Sequence, residues 1–563
     1  MSKPGSGPET GADALLLALR ASGVRYLFAN AGTDFPPVIE GLARLDATEI
    51  PQALTIPHET AAVGMAHGFW LATGVPQAVM VHVNVGLANT VMGVINAKSD
   101  NVPMVVLSGR TPLTEEGRAG GRVTPIQYGQ EMFDQTSIVR DSVKFDYEIR
   151  YPEQCDSVLR RAVAVATSAP EGPVYLSLPR EPLTEALPEG FAPAPDIAPA
   201  RAAHPDPGDI ARLAGWLDAA SNPLVICQRG DPMGELGRTL SDVAKTLGLA
   251  VCEPFVVRNV LAGDDPALVG YDHGAIAEAD LVIVLDSGVP WIARGSPPAA
   301  GAKVVHIGPD PLFARMPVRG FRSDLTIAAD PVAALRALVD AAAANPARQA
   351  SVARRSTARR EQAEAAAGPP TGEGPASPAW FSRCVSDIMD EDAIAFSELG
   401  LIPGFMTLKG PNRFFGNPHS GGLGWGFPAA LGAQLAYRDR LVIAAIGDGS
   451  YMFANPVACH QIAEALGLPV LIIVKNNSGW NAVRRAVAGG YPDGAAMKRN
   501  EVPLTSLAPM PDFAQVARAS RAHAERVDHG RDLPDALNRA VSIIRAERRH
   551  VLLDVAVTAT EAF

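Results

Sequence analysis

The sequence predicts an α/β protein with three successive domains, each built on a parallel sheet. Short, continuous apolar runs alternate with helical patterns along most of the chain, which is typical of parallel strands buried on both faces. Two Pro- and Ala-rich segments, residues 186–208 and 365–378, interrupt this alternation and indicate linkers. The length of 563 residues also exceeds what a single hydrophobic core organises.

Apolar runs of strand length define each predicted domain, with helical patterns between them. In the first domain, residues 8–185, the predicted strands are 24–28, 78–83, 103–109 and 172–179. In the central domain, residues 206–345, they are 223–228, 281–287 and 303–308. In the third domain, residues 379–563, they are 393–399, 441–447, 469–475 and 550–557. The first and third domains share a rhythm of strands and helices and are expected to have similar sheets.

Charge and composition exclude several classes of protein. Asp and Glu total 60 against 49 Lys and Arg, and this acidic balance without a basic cluster argues against nucleic-acid binding. No apolar run reaches the roughly 18 residues that a membrane span requires, and the N-terminus shows no secretion signal. The five cysteines are widely spaced without a CxxC pair, so reduced thiols in a cytoplasmic protein are expected.

The strongest chemical signal lies at the ends of two predicted strands in the third domain. Gly-Asp-Gly-Ser at 447–450 ends one apolar strand, and Asn-Asn at 476–477 ends the next. Ligands of open parallel sheets bind at the carboxyl ends of strands, so Asp448 and Asn477 are expected to face one point. The alternative is that the glycines form only a tight turn between a strand and a helix.

A hard divalent cation fits this set of oxygen donors. Mg²⁺ prefers carboxylate, amide and carbonyl oxygens, which Asp448, the Asn477 side chain and the Gly479 carbonyl could supply. Small residues beside the aspartate would let the backbone approach a phosphate at the start of the following helix. These phosphate-binding candidates are Gly447, Gly449 and Ser450.

Gly-Asp-Gly and Asn-Asn, separated by residues 450–475, resemble the thiamine diphosphate motif. Nearly the whole chain resembles the family of acetolactate synthase, benzoylformate decarboxylase and pyruvate decarboxylase. The resemblance implies a pyrimidine-binding first domain and a diphosphate-binding third domain, with thiamine diphosphate and Mg²⁺ as cofactors. It also implies a homodimer or homotetramer in which Glu59 and Asp448 serve the same cofactor from different subunits.

Glu59 lies in the sequence Pro-His-Glu-Thr-Ala-Ala at 57–62, which resembles the family's H-E-x-x-A segment at the start of a helix. The resemblance implies that its carboxylate hydrogen-bonds the cofactor's aminopyrimidine and promotes formation of the nucleophilic ylide. A mostly buried carboxylate with a raised pKa is expected there. The alternative is an ordinary glutamate in a first helical turn, stabilised by the helix dipole.

The sequence His-Ser-Gly-Gly-Leu-Gly at 419–424, followed by Pro-Ala-Ala at 428–430, resembles another part of the family's cofactor site. By resemblance, the Gly421 carbonyl accepts a hydrogen bond from the cofactor's 4′-amino group. Leu423 is by the same resemblance the apolar wedge that bends the cofactor. A glycine-rich start of a helix packed closely on a sheet is the alternative, and it is compatible with these roles.

Candidate catalytic residues on the substrate side are His82 and Asn84, near the end of the predicted strand 78–83. By resemblance, His82 has the same spacing from Glu59 as the catalytic histidine of benzoylformate decarboxylases. A histidine that titrates near neutral pH could shuttle protons to the product. The alternative is a core histidine bonded to backbone groups.

Three further residues are candidates for substrate contact. Thr33 matches the position of a carboxylate-binding serine in benzoylformate decarboxylases. Gln130 lies in the polar and aromatic segment 128–135, whose pocket-facing members the sequence leaves open. Trp480 follows the metal candidates and suggests an enclosed pocket.

The central domain departs from known members of the family in the segment 286–291. Benzoylformate decarboxylases have a second active-site histidine in this stretch, and acetolactate synthases have flavin-contacting residues. The segment Asp-Ser-Gly-Val-Pro-Trp has neither. A scheme with two histidines and an FAD cofactor are therefore not expected, and the glycine fingerprint of a dinucleotide site is also absent from the sequence.

The leading hypothesis is a thiamine diphosphate- and Mg²⁺-dependent enzyme that acts on the carbon–carbon bond next to a carbonyl group. A 2-oxo acid would lose CO₂, and the remainder would be protonated to an aldehyde or joined to a second carbonyl compound. Two alternatives stay open. One is a lyase that cleaves 2-hydroxyacyl compounds or hydroxyketones without decarboxylation, and the other is a non-catalytic relative that kept the scaffold.

Overall fold

The computed structural model describes residues 7–370, 372–499 and 502–559. Within these residues the chain forms three six-stranded sheets. Every pair of neighbouring strands is parallel. The predicted α/β class with parallel sheets is therefore confirmed.

The N-terminal part of the chain forms the first sheet and the helices around it. Its strands are β1 (Tyr26–Asn30), β2 (Gln52–Thr55), β3 (Ala78–Val81), β4 (Val105–Arg110), β5 (Asp146–Glu148) and β6 (Val174–Pro179). Its helices are α1 (Gly11–Ala21), α2 (Pro36–Arg44), α3 (Glu59–Thr73), α4 (Val83–Ser99), α5 (Ile126–Gly129), α6 (Gln154–Thr167) and α7 (Arg180–Thr184).

The central part forms the second sheet. Its helices are α8 (Pro207–Ala219), α9 (Glu235–Leu247), α10 (Pro331–Ala341) and α11 (Pro346–Ala366). Its strands are β7 (Pro223–Cys227), β8 (Ala250–Cys252), β9 (Leu268–Gly270), β10 (Leu281–Leu285), β11 (Lys303–Gly308) and β12 (Leu325–Ala328). The predicted linker 186–208 extends from the end of α7 into the first residues of α8. The predicted linker 365–378 extends from the end of α11 to the start of α12 (Pro378–Asp387), and its residue 371 lies outside the described residues.

The remaining part forms the third sheet. Its strands are β13 (Ile394–Glu398), β14 (Phe414–Phe415), β15 (Val442–Gly447), β16 (Leu471–Asn476), β17 (His523–Val527) and β18 (Val551–Ala556). Its further helices are α13 (Gly426–Ala436), α14 (Asp448–Phe453), α15 (Pro456–Ala465), α16 (Asn481–Gly490), α17 (Ala495–Lys498), α18 (Phe513–Arg518) and α19 (Leu533–Glu547).

The first and third sheets have the same topology. Their strand orders are β2-β1-β3-β4-β6-β5 and β14-β13-β15-β16-β18-β17, which agree when each is counted from its own first strand. The second sheet has the order β12-β11-β10-β7-β8-β9. The apolar runs predict none of the strands at the edges of the three sheets. An edge strand is short or partly exposed and needs no continuous apolar run.

The chain divides into two compact units. Among the described residues, one unit contains those up to Arg201 together with Pro418–Ala436, and the other contains those of Ala202–Asn417 and those from Tyr437 onward. The second unit holds two sheets, and buried Asn259 connects them by accepting hydrogen bonds from the backbone N–H groups of Arg413 and Phe414, each at 2.8 Å. The predicted limits of three domains stay a prediction, and residues 500–501 and 560–563 of the third lie outside the described residues.

All five cysteines are buried and free. Burial raises the pKa of the Cys384 thiol to about 12, so this thiol stays protonated at neutral pH. In the part of the chain that the structure covers, no helix combines the length and the apolar character needed to cross a membrane.

Helices α3 and α13, which both belong to the first unit, pack through glycines. A Cβ atom on Gly68 would lie 1.9 Å from the Ala429 carbonyl oxygen, and one on Gly432 would lie 2.0 Å from the Met65 carbonyl oxygen. The two helix backbones therefore approach so closely that no side chain fits between them. Because α3 begins at Glu59 and α13 follows the 419–424 segment, this contact positions two parts of the predicted cofactor site.

We expect Gly68→Ala to lower the free energy of unfolding by about 1–3 kcal/mol, because the added methyl group overlaps a backbone carbonyl. Gly215→Ala is the matched control, since Gly215 lies inside α8 with nothing within 4 Å of the added Cβ atom. Alanine there should stabilise the protein by about 0.5–1 kcal/mol. Thermal unfolding of both variants measures the difference, and equal stabilities would contradict the close contact.

Candidate active site

The first part of the candidate site lies at the carboxyl end of the first sheet. Strands β1 and β3 are parallel neighbours, with Asn30 beside Val81. The loop after β1 carries Asp34 and the residue after β3 is His82, so both reach the same edge. The His82 Nδ1 atom lies 2.5 Å from Asp34 Oδ1, and its Nε2 atom lies 3.2 Å from the amide nitrogen of Gln130.

The surroundings of His82 favour its protonated form. The hydrogen bond to the Asp34 carboxylate raises the pKa of His82, burial opposes the rise, and the negative charges of Asp34 and Glu59 add to it. The imidazole is half-buried and its Nδ1 atom pairs with a carboxylate. This placement differs from the alternative of a core histidine bonded to backbone groups, and it suits a group that exchanges protons with a ligand.

Glu59 is the first residue of α3, and the preceding His58 caps the helix by accepting a hydrogen bond from the Thr60 N–H at 3.3 Å. The Oε2 atom of Glu59 accepts a hydrogen bond from Asn89 Nδ2 at 3.1 Å. The side chain is half-buried, so the expectation of a mostly buried carboxylate is wrong for the chain by itself. The reason is that enclosure of α3 begins at its third residue, Ala61.

Side chains on one face of helix α4 contact two parts of the candidate site. Asn89 and Asn96 stand two helical turns apart, so their side chains project from the same side. The fully buried Asn96 accepts hydrogen bonds from the Gly422 N–H at 3.1 Å and the Ser420 hydroxyl at 2.6 Å, and it donates to the Gly422 carbonyl at 3.0 Å. The helix thus contacts Glu59 at one turn and the 419–424 segment at another.

Gly421 and Leu423 flank the backbone that Asn96 holds. Gly421 has φ = +68°, a conformation open to glycine without steric cost. Its N–H donates to the Pro418 carbonyl at 2.9 Å, which closes a turn. Gly421 is exposed and Leu423 is half-buried. Both candidates therefore lie next to the turn that Asn96 stabilises and remain accessible to a ligand.

The second part of the candidate site lies at the carboxyl end of the third sheet. Strands β15 and β16 are parallel neighbours, and Asp448 follows the first while Asn477 follows the second. Asp448 Oδ2 accepts hydrogen bonds from the backbone N–H groups of Asn477 at 3.1 Å and Gly479 at 3.2 Å. Its Oδ1 atom accepts one from the Gly449 N–H at 2.8 Å. Strand pairing therefore brings together the two motifs that the sequence places at strand ends.

The surroundings of Asp448 suit a cation. Burial raises the pKa of this carboxyl, and the backbone N–H groups of Gly449, Gly479, Asn477 and Ser478 oppose the rise. A bound cation would offset the cost of holding the charged form in a buried position. No cluster of three His, Cys, Asp or Glu side chains suited to a metal occurs in the described ranges, so a cation at Asp448 would take its other donors from amide and carbonyl oxygens.

Ser450 and Gly449 are candidates for contact with a phosphate group. The Ser450 hydroxyl oxygen is buried and has no hydrogen-bond partner among the described residues, which fits an additional acceptor such as a phosphate oxygen. Gly447 precedes α14, and Gly449 and Ser450 lie in its first turn. Thiamine diphosphate with a divalent cation therefore fits the residues present at this strand edge.

Trp480 lies against the Gly-Asp-Gly turn. A Cβ atom on Gly449 would come within 2.1 Å of the indole ring, and the ring also makes an edge contact with Phe453 at 5.8 Å between centroids. A cavity of about 200 Å³ adjoins this loop, and Asn477, Gly479 and Trp480 line it. Trp480 thus belongs to the surroundings of the metal candidates in the second unit.

The remaining candidates lie around His82. Thr33 is exposed, and its carbonyl accepts a hydrogen bond from Arg180 at 3.4 Å. Asn84 is half-buried, and its Oδ1 atom is buried with no partner within the described part of the chain. Within the 128–135 segment, Gln130 reaches His82, whereas Gln135 points inward and donates to the Ser108 hydroxyl at 2.8 Å.

Two sequence models of one family match the chain. The model described as thiamine pyrophosphate enzyme, N-terminal TPP binding domain, matches residues 9–138. The model described as thiamine pyrophosphate enzyme, C-terminal TPP binding domain, matches residues 400–555. Together they cover just over half of the chain. The chain belongs to the thiamine pyrophosphate enzyme family.

Relatives of this thiamine pyrophosphate enzyme match it over most of its length. The benzoylformate decarboxylase of Pseudomonas aeruginosa is 27% identical over 557 residues, which cover 95% of this chain and 97% of the relative. The acetolactate synthase large subunit of Parasynechococcus marenigrum is 26% identical over 535 residues, which cover 91% of this chain and 82% of the relative.

A solved structure shares the fold of this thiamine pyrophosphate enzyme. It is the thiamine diphosphate-dependent 4-hydroxybenzoylformate decarboxylase of Rhodococcus jostii, with a TM-score of 0.77 and 23% identity. The match covers 98% of this chain and 100% of that chain.

The predicted membership is confirmed, and the enzyme depends on thiamine diphosphate, which is another name for thiamine pyrophosphate. It is related to acetolactate synthase and benzoylformate decarboxylase at about a quarter sequence identity. Members of the thiamine pyrophosphate enzyme family act on small carbonyl compounds.

Sequence reasoning did not single out three residues that organise the site of this thiamine pyrophosphate enzyme, namely Asp34, Asn89 and Asn96. Asp34 follows β1 and His82 follows β3, and the strand between them in sequence, β2, lies on the far side of β1. The strand β2 was not predicted, so β1 and β3 are consecutive among the predicted strands, but Asp34 lies four residues beyond β1 and no strand-end signal marks it. The two asparagines had a usable signal, because their spacing of two helical turns places both on one helix face.

We expect Asn96→Ala to loosen the 419–424 segment, because the Gly422 backbone and the Ser420 hydroxyl lose a shared partner at a cost of about 1–3 kcal/mol. Hydrogen exchange followed by mass spectrometry should show faster exchange there and unchanged exchange in β4. Asn538→Ala, an exposed asparagine of α19, serves as the control. Unchanged protection of the 419–424 segment in Asn96→Ala would show that the Asn96 side chain does not hold this segment.

Proposed function

We propose that this thiamine pyrophosphate enzyme decarboxylates a 2-oxo acid and either releases the remainder as an aldehyde or joins it to a second carbonyl compound. The observation that carries the proposal is the half-buried His82, held by Asp34 and Gln130 at the carboxyl end of β3. A product that has lost CO₂ must gain a proton, and an imidazole titrating near neutral pH can supply it. The relative named benzoylformate decarboxylase supports this class of reaction.

Thiamine diphosphate, when bound, supplies the electron sink that makes loss of CO₂ from a 2-oxo acid possible. The residues of this chain would bind, orient and move protons around it. Glu59, oriented by Asn89, would hold a proton at the pyrimidine side. The Gly421 carbonyl and the Leu423 side chain, on the turn that Asn96 holds, would orient the cofactor's pyrimidine and shape its bend.

Mg²⁺ would complete the diphosphate side of the site. The proposed ligands are the Asp448 carboxylate, the Asn477 side-chain oxygen and the Gly479 carbonyl, which strand pairing brings together. Gly447, Gly449 and Ser450 would contact the diphosphate. The buried Ser450 hydroxyl supports this assignment, since a phosphate oxygen would give it the acceptor that it lacks among the described residues.

The proposed substrate contacts are the residues around His82. Asn84 and Gln130 offer polar groups beside the imidazole, and Thr33 lies in the exposed loop that carries Asp34. Trp480 would enclose the site from the metal side, because its ring covers Gly449.

We also infer a homodimer or homotetramer with shared active sites. Glu59 belongs to the first compact unit and Asp448 to the second. In the family arrangement these two residues serve one cofactor from different subunits. The half-exposed Glu59 carboxylate supports this inference, since a second subunit could complete its enclosure.

The test of the reaction is CO₂ release from a panel of 2-oxo acids, including pyruvate, longer aliphatic acids and aromatic acids, with thiamine diphosphate and Mg²⁺ added. Mass spectrometry of the products separates an aldehyde from a hydroxyketone and so distinguishes a decarboxylase from a carboligase. Release from none of them, with cofactor binding demonstrated by calorimetry, would contradict the proposal. The next candidates would then be 2-hydroxyacyl compounds and hydroxyketones, cleaved without decarboxylation.

We expect Glu59→Gln to reduce kcat by about 100-fold or more while thiamine diphosphate still binds, because an amide cannot exchange the proton that the carboxylate holds. Steady-state kinetics and calorimetric titration of the cofactor measure the two effects separately. Glu49→Gln, an exposed glutamate of the same domain, is the control and should behave as the wild type. Full activity of Glu59→Gln would remove this residue from the mechanism.

We expect Asp448→Ala to abolish Mg²⁺-dependent binding of thiamine diphosphate, because the charged oxygen donor of the site is lost. Calorimetric titration with and without Mg²⁺ measures this, and Asp439→Ala, at an exposed aspartate, should bind normally. An unchanged affinity in Asp448→Ala would refute the metal assignment.

Mixing the two inactive variants tests the shared site. In a mixed dimer of Glu59→Gln and Asp448→Ala, one site would combine both defects and the other would contain an intact Glu59 and an intact Asp448. Activity should therefore reappear after subunit exchange. No recovery despite demonstrated exchange would place both residues of a site on the same subunit.

A further inference from the structure

Asp34 lies where the loop after β1 meets the turn between β3 and α4. Its side chain is buried, with 4% of its surface exposed. The Oδ1 atom lies 2.5 Å from His82 Nδ1, and the Oδ2 atom accepts a hydrogen bond from the Val83 N–H at 3.2 Å. One carboxylate thus binds both the imidazole and the backbone directly after it.

The backbone at this turn is strained. Val83 has φ = +27°, a conformation that a β-branched residue rarely adopts. Such strain persists only where neighbouring contacts maintain it, and it concentrates at functional sites. Here the contacts are the hydrogen bond from Val83 to Asp34 and the Gly86 N–H, which donates to the His82 carbonyl at 2.7 Å.

Two glycines leave room for the Asp34–His82 pair. A Cβ atom on Gly32 would lie 2.1 Å from His82 Nδ1. A Cβ atom on Gly109, at the end of β4, would lie 1.5 Å from Asp34 Oδ2. The ends of three neighbouring strands, β1, β3 and β4, therefore enclose the pair without space for any further side-chain atom at these positions.

The chemistry of the contact determines which ring nitrogen carries a proton. An ionised carboxylate only accepts hydrogen bonds, so His82 Nδ1 must donate to Asp34. The Nε2 atom is then the nitrogen that gains and loses a proton, and it faces the Gln130 amide. Rotation of the Gln130 side-chain amide by half a turn exchanges its nitrogen and oxygen atoms. Gln130 can therefore donate a hydrogen bond to a neutral Nε2 or accept one from a protonated Nε2.

We propose that Asp34 is a positioning residue that keeps His82 in the Nδ1–H tautomer, and that Gln130 hydrogen-bonds Nε2 in both protonation states. Proton transfer then passes through Nε2 alone. In its catalytic part this inference rests on the proposed decarboxylation. Conversion of a 2-oxo acid anion to CO₂ and an aldehyde consumes one proton: the Nε2–H bond breaks, the product carbon gains the proton, and a proton from water later restores Nε2.

Electrostatics support the same assignment. The charged groups facing the His82 ring are the carboxylates of Asp34 and Glu59, and both raise the pKa of the imidazole, while burial lowers it. The ring is therefore protonated to a higher pH than a free histidine. As the pH rises through the His82 pKa, the Nε2 proton is lost and kcat for aldehyde formation falls.

The test is nuclear magnetic resonance of the full chain with ¹⁵N-labelled histidine rings, in the absence of substrate. The His82 signals are assigned by their loss in His82→Gln among the 11 histidines of the chain. We expect the neutral ring to be the Nδ1–H tautomer and its pKa to lie above the ordinary value of 6.5. An Nε2–H tautomer in the wild type would overturn the proposal without need of any Asp34 variant.

Asp34→Asn should lower the pKa of His82 toward 6.5 and shift the neutral ring toward the Nε2–H tautomer, because the new amide can donate to Nδ1. Asp46→Asn, an exposed aspartate nearby in sequence, is the control and should leave the titration unchanged. An unchanged tautomer and pKa in a folded Asp34→Asn protein would overturn the positioning role.

The pH profile of kcat separates this inference from the proposed reaction. On a 2-oxo acid that the wild type decarboxylates, the alkaline limb should move to lower pH in Asp34→Asn. The value of kcat at pH 8 should fall by up to about 30-fold, which is the loss of protonated ring when the pKa falls to 6.5, and KM should change less. If no 2-oxo acid is decarboxylated, the proposed function fails while the resonance result still decides the role of Asp34. A tautomer change in Asp34→Asn with an unmoved profile would overturn transfer through Nε2.

Discussion

Parallel pairing of neighbouring strands is the constraint on which both parts of the candidate site depend. In the third sheet it places Asp448 beside Asn477 at the ends of β15 and β16. In the first sheet it places Asp34 beside His82 at the ends of β1 and β3. The two sheets share one strand order, but the pairs differ, because β15 and β16 correspond to β3 and β4 whereas Asp34 and His82 follow β1 and β3.

Helix packing positions the remaining residues of the candidate site. The glycine contact between α3 and α13 leaves no room for a side chain, so the start of α3 and the segment before α13 are positioned together. Helix α4 supports the same two elements through Asn89 and Asn96. Glu59, Gly421 and Leu423 therefore depend on backbone packing and buried amides rather than on contacts with one another.

The sequence predicted some contacts of the candidate site and missed others, and each outcome has a physical reason. The meeting of Asp448 and Asn477 was predictable because the strands before them are consecutive apolar runs that also pair in the sheet. The meeting of Asp34 and His82 was not predicted, although β1 and β3 are also consecutive predicted runs, because Asp34 lies four residues beyond β1 in a loop and not directly at the strand end. The half-buried Glu59 departs from expectation because it is the first residue of α3 and the helix is enclosed only from Ala61 onward.

The sequence by itself determined the α/β class, the strands in the interior of each sheet other than β8, and the membership of the thiamine pyrophosphate enzyme family. These follow from local apolar runs and from motifs whose members are close in sequence or separated by two short helices and one strand. Only the tertiary structure decided the edge strands, the strain at Val83 and the partners Asp34, Asn89 and Asn96. The physical reason is that these features arise where segments distant in the chain come into contact, and no local pattern encodes which segments will meet.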